Sequence, residues 1–220
     1  MWYLRIFEVL NEIMKVILIN GSPRPAGCTF TVLSEVASSL NRNDIETEIF
    51  QIGREPVSGC LACYSCRNTK KCFIDNDCVN TLAEKMIEAD GIVIGSPVYY
   101  SGPNGALCSI LDRVFFSTAK EQYAYKPVSA VVSCRRSGGT ASLDRLHKYF
   151  TIANMTIVGS SYWNIVHGNT PEEVRQDLEG MQVMRRLGEN MAYLLKNLEV
   201  GKDRIVKPQL EKSIGTNFIR

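Results

Sequence analysis

The chain has 220 residues, enough for one domain with a sizeable core and short for two. Hydrophobic residues make up 45% and charged residues 22%, which excludes a disordered or collagen-like chain, and no apolar run reaches the roughly 18 residues of a membrane span. The formal charge is only +2, which excludes the electrostatic footprint of a nucleic-acid binder and leaves a small molecule or a protein as the expected partner.

The opening stretch MWYLRIFEVLNEIM carries Glu8 and Glu12 among its apolar residues and lacks a small-residue cleavage site. It reads as an accessory extension over residues 1–14, not a secretory signal, and the expected setting is the reducing cytoplasm. Lys15 to Asn20 (KVILIN) is the first predicted strand, followed by a narrow helical face of Val32, Leu33, Val36 and Leu40. Ile45 to Ile52 alternates as a half-exposed strand does. Gly91 to Gly95 and Val128 to Val132 are short apolar runs of buried-strand type, and Met155 to Val158 is the fifth, weaker candidate. Between them Leu107, Ile110, Leu111, Val114 and Phe115 form a helical stripe.

The last predicted helix starts with Thr170 as N-cap, Pro171 at the first position and Glu173 closing a capping box. One stripe then runs through Val174, Leu178, Met181, Met184, Leu187, Met191 and Leu194, and residues 199–220 read as a solvated tail. Strands alternating with helices predict a three-layer α/β domain over residues 15–198, a parallel five-stranded sheet covered on both faces. In such a sheet ligands bind beyond the carboxyl ends of the strands.

Three loops lie there. Gly21 to Thr31 leaves the first strand and opens the first helix, so backbone N–H groups and the helix dipole point at one place, which suits an anion. Ser22, Thr29 and Thr31 add hydroxyls and Arg24 a guanidinium. There is no G-x-G-x-x-G, and Cys28 stands where a Walker A loop needs Lys. Ser96 to Pro103, with Pro97, Val98, Tyr99, Tyr100, Ser101 and Gly102, suits a flat ring. Cys134 to Thr140 combines small residues with Arg135 and Arg136. Phosphate at the first loop, a planar ring at the second and positive charge at the third describe a mononucleotide-like flavin.

The segments ILINGSPR, GSPVYYSGPNGALCSILDR and SCRRSGGT resemble the three FMN-binding loops of the flavodoxin-like NADPH-dependent FMN reductase superfamily. The nearest branch is the iron-sulfur flavoproteins, whose compact cysteine loop resembles Cys60-x2-Cys63-x2-Cys66-x5-Cys72. The resemblance implies sheet order 2-1-3-4-5, non-covalent FMN, NAD(P)H as co-substrate, and a homodimer or homotetramer. It implies that Ser22, Arg24, Cys28, Thr29, Phe30 and Thr31 hold the phosphate. Pro97 to Gly102 then border the isoalloxazine, and Arg136, Gly138, Gly139 and Thr140 lie on its pyrimidine side. Cys28 departs from the more usual polar residue. His167, in YWNIVHG, is expected either to contact flavin or substrate or to be a structural loop residue; His147 reads as structural.

Eight cysteines are present, five of them between Cys60 and Cys78. The cysteine-rich loop 57–80 follows the second strand and is expected on the same sheet edge as the flavin loops. Cys60, Cys63, Cys66 and Cys72 suit a 4Fe-4S cluster, with a structural zinc or unligated thiols as competing states, and Cys78 keeps the fourth ligand open. The expected function is an FMN-dependent oxidoreductase that takes hydride from NAD(P)H and delivers electrons to a quinone, flavin or protein. The flavin does the redox work, so no catalytic side chain is expected. An electron carrier without NAD(P)H activity and a cysteine-based redox or metal sensor are the alternatives.

Overall fold

The computed structural model describes residues 13–208, 211, 214–216 and 218, so most of the expected accessory extension lies outside the described residues. In chain order the elements are β1 (Lys15–Asn20), α1 (Cys28–Asn41), β2 (Glu46–Gln51), α2 (Cys66–Thr69), α3 (Val79–Glu88), β3 (Gly91–Tyr99) and β4 (Gly102–Pro103). They continue with α4 (Gly105–Ser117), β5 (Pro127–Cys134), α5 (Gly139–Ile152), β6 (Thr156–Ile157), β7 (Ile165–His167), α6 (Pro171–Gln176) and α7 (Leu178–Gly201).

The main sheet runs β2-β1-β3-β5-β6, all parallel. With the two-residue β4 set aside, this is the expected order 2-1-3-4-5. Central parallel strands are covered on both faces, which is why β1, β3 and β5 read as continuous apolar runs while edge strand β2 alternates. Along β1, Val16 and Leu18 point into a core shared with α1, α6 and α7, and Ile17 and Ile19 into a core shared with α3, α4 and α5. Each fully buried side chain of this kind contributes about 1.5–3 kcal/mol.

Two local expectations are corrected. The fifth strand is interrupted: β6 pairs with the start of β5, β7 with its end, and residues 159–164 loop out between them. Asn164 fills the gap, its side-chain amide donating to the Ser129 hydroxyl (2.9 Å) and the Ala130 carbonyl (3.1 Å). The last helix is two helices. Thr170 accepts from the Glu173 N–H as expected, but the chain leaves the helix at Asp177, whose carboxylate then caps α7 by accepting from the Gly180 N–H at 2.9 Å. The break turns Leu178 out to solvent, while Met181, Met184, Leu187 and Met191 stay buried.

A three-loop site and a cysteine pocket

The loop after β1 is fixed by side chains from β1 and β2. Asn20 donates to the Arg24 carbonyl at 3.3 Å, and Gln51 donates to the Ser22 carbonyl at 2.6 Å. The buried Ser22 hydroxyl accepts from the Arg24 N–H at 3.1 Å, while the Arg24 side chain stays exposed. Gly27 is the N-cap of α1 and supplies no capping side chain, and the first turn has no acidic residue. The N–H groups of Cys28, Thr29 and the half-buried Phe30 therefore lack intrahelical acceptors, as at every helix start, and no side chain among the described residues caps the helix in their place.

The threonine hydroxyls are used inside the fold. Thr29 Oγ1 lies 2.9 Å from Ser133 Oγ, and Thr31 Oγ1 donates to the Gly27 carbonyl at 3.2 Å. What this turn has left to offer is the exposed Arg24 side chain and the backbone N–H groups of the helix start. The Cys28 sulfur faces the Gly168 carbonyl at 4.0 Å. Burial pushes the Cys28 thiol up, Arg24 opposes the shift, and Glu173 and Glu172 add to it.

The second loop is a hairpin. Tyr99 pairs with Gly102, and the two residues between them, Tyr100 and Ser101, both have positive φ, as a type I′ turn requires. Pro97 and Val98 are half-buried, whereas Tyr100 projects fully into solvent. In the third loop, Arg135 and Arg136 are exposed and pair with no carboxylate among the described residues. Gly138 caps α5 at φ +91, and a Cβ there would lie 2.6 Å from Ser101 Cα. Gly139 is buried under Ile165, and Thr140 is exposed.

The first loop meets the strands that carry the other two, and those two touch each other. Gly21 N–H donates to the Gly95 carbonyl of β3 at 2.9 Å, Thr29 meets Ser133 of β5, and Gly138 abuts Ser101. A residue to which sequence reasoning gave no role completes the assembly. Asn104 donates its side-chain amide to the Gly21 carbonyl (2.7 Å), accepts from the Ala106 N–H (3.0 Å), and donates its own N–H to Ser96 Oγ (3.0 Å). Its position directly before a helical stripe was the available signal. His167, exposed at the end of β7, places Nδ1 3.5 Å from the Asp177 carboxylate. His147 lies on α5 beside Phe150, as a structural residue would.

The cysteine loop leaves β2 at the edge that carries these loops, as expected. Cys60, Cys63, Cys66 and Cys72 line one pocket with Leu61, Tyr64, Phe73, Arg113, Phe116 and Ser117. Arg113 stands eight residues beyond Gly105 on α4, about 12 Å along the helix from the loop edge at 1.5 Å per residue. From that edge the segment folds back along α4, where the Cys66 sulfur reaches the Phe116 carbonyl at 3.8 Å.

The eight cysteines form no disulfide. Burial pushes the Cys66 thiol up, and the nearby sulfurs of Cys63, Cys60 and Cys72 push it the same way. Among the described residues no three His, Cys, Asp or Glu side chains stand in a metal-holding arrangement. The donor chemistry nevertheless suits a soft metal, with four thiols lining one largely apolar pocket. Cys78 is not in that pocket; it packs on the core with its sulfur 3.9 Å from the Ile52 carbonyl.

A parallel sheet of this order, with its loops gathered at the carboxyl edge, defines a flavodoxin-like fold. A flavodoxin from the domain Archaea superimposes with a TM-score of 0.55 at 14% identity, covering 83% of this chain and 99% of its own. The sequence pattern of the NADPH-dependent FMN reductase family matches residues 14–170, and the chain belongs to that family. An iron-sulfur flavoprotein of Methanocaldococcus jannaschii is 34% identical over 190 residues, covering 83% of this chain and 98% of that protein. An iron-sulfur flavoprotein of Methanosarcina thermophila is 28% identical over 195 residues, covering 87% and 100%. These relatives place the chain in the iron-sulfur flavoprotein branch. No described helix is long and apolar enough to cross a membrane.

Proposed function

We propose that this chain binds FMN at the three loops and acts as an oxidoreductase, taking hydride from NAD(P)H and passing electrons to a quinone, flavin or protein acceptor. A 4Fe-4S cluster on Cys60, Cys63, Cys66 and Cys72 is the proposed relay. The reading is carried by one observation above the others: three loops, tied together through Gly95, Asn104, Ser133 and the Gly138–Ser101 contact, gather beside a helix start that no described side chain caps. When bound, FMN supplies the two-electron redox chemistry. The chain does the rest. The N–H groups of Cys28, Thr29 and Phe30 bind the phosphate, with Ser22, Arg24 and Thr31 shaping and charging the turn. Pro97 to Gly102 border the ring, and Arg136, Gly138, Gly139 and Thr140 stabilise negative charge on its pyrimidine side.

The same reading puts the protein in a reducing cytoplasm, where the exposed Cys60 and Cys63 thiols persist. It also makes the protein a homodimer or homotetramer, which sedimentation checks. The functional test is a flavin-fluorescence titration with FMN followed by steady-state NADPH and NADH oxidation with a quinone. Saturable binding with an affinity of about micromolar or better, and sustained turnover, are expected. Saturable binding without turnover would leave an electron carrier in place of a reductase, and absence of binding would end the reading.

A further inference from the structure

Arg113 lies on α4 among Ile110, Leu111 and Val114 and is 1% exposed. A guanidinium has five N–H donors and keeps its charge in proteins, so burial is tolerable only when the donors are matched. All five are. Nε–H donates to the Cys72 sulfur at 3.2 Å. One terminal nitrogen donates to the Ser58 carbonyl at 3.3 Å and to Asp77; the other donates to the Ile74 carbonyl at 2.7 Å and to Asp77 at 3.2 Å. Every acceptor lies between Ser58 and Asp77, on both sides of the four thiols. A single side chain from the scaffold helix thus holds the cysteine segment at both ends and touches one sulfur directly.

We propose that Arg113 is a positioning residue that presents Cys72 as the fourth thiolate and sets the reduction potential of the cluster, an inference that rests on the cysteine reading given above. One-electron reduction by the reduced flavin adds negative charge and no proton to a cluster and its thiolates. A hydrogen-bond donor on a thiolate sulfur stabilises that charge and raises the potential. Asp77 engages both terminal nitrogens, which turns the remaining Nε–H toward Cys72 and offsets much of the net charge, so the N–H···S bond itself is the tuning contact. Lysine cannot replace this arrangement, because an ammonium is a point donor without the planar fork.

The test compares the wild type with Arg113→Lys and with the double variant Arg113→Met/Asp77→Asn, which removes both buried charges and so leaves neither unpaired. Each protein is purified anaerobically, its iron and FMN are counted, and cluster and flavin potentials are measured by spectroelectrochemical titration. Hydrogen exchange over residues 58–77 is followed in the metal-free form. Both variants are expected to show a lower cluster potential, an unmoved flavin potential and faster exchange in that segment. Folded, FMN-loaded variants that fail to hold iron would support the assignment as well, through a misplaced fourth thiolate. Full iron at the wild-type potential in both variants would overturn the role of Arg113 alone. A wild-type protein that assembles no cluster would overturn the cysteine reading and this inference with it.

Discussion

The side-chain amide of Asn104 donates to the Gly21 carbonyl at 2.7 Å, and through that bond the loop after β3 holds the loop after β1. Asn104→Ala also removes the N-cap of α4, worth about 1 kcal/mol, and leaves a buried carbonyl unpaired at about 1–3 kcal/mol. The variant is expected to lose about 2–4 kcal/mol of stability in urea unfolding. Its FMN affinity, read by fluorescence titration, should fall at least about tenfold because the phosphate turn loses its register with the ring loop.

Gly138 is the contact between the second and third loops. Alanine there adds a Cβ 2.6 Å from Ser101 Cα, a backbone atom that cannot step aside, and asks an L residue to hold φ +91. Gly138→Ala is expected to cost more than about 2 kcal/mol and to weaken FMN binding, measured in the same two assays.

Thr29 separates the roles of hydroxyl and backbone. Its Oγ1 is committed to Ser133, so Thr29→Val should cost about 1–2 kcal/mol by stranding that partner. FMN affinity should change by less than about threefold, since the N–H is untouched. A tenfold loss would show that the hydroxyl turns to the phosphate when the flavin binds.

Tyr123 gives a pH signature. Its side chain is fully buried, and burial pushes the phenol up to about 12, against the opposing contact with Thr118. Below the unfolded value of about 10, both states keep the proton and stability is unaffected. Between that value and the folded one, only the unfolded chain has shed it, so stability falls by about 1.4 kcal/mol per pH unit from this group. Urea midpoints at about pH 8 and about pH 11 should show a smaller alkaline loss for Tyr123→Phe than for the wild type.

The locally determined part of the structure was legible in the sequence. Apolar runs fall on β1, β3 and β5 because a central parallel strand must be apolar on both sides, and the stripe from Leu107 to Val114 is buried as its spacing requires. What escaped was non-local. Nothing in the period of α4 marks Arg113 as buried, since its cover comes from residues 58–77 folding back along the helix. The break at Asp177 was hidden because the apolar spacing continues across it, and the strand interruption depends on Asn164 reaching Ser129 and Ala130 on the neighbouring strand. The three loops are legible in the sequence, but Asn104 is not, because its partners Gly21 and Ser96 reach it only through the fold.

Whether a flavin site and a cysteine-held cluster share one chain is decided by strictly anaerobic purification, with FMN, iron and zinc counted on the same sample as its ultraviolet-visible spectrum. One FMN and about four irons per chain are expected, with broad cluster absorption overlapping the flavin bands. Protein that binds FMN yet carries no iron after anaerobic reconstitution, or that carries zinc in its place, would contradict that expectation.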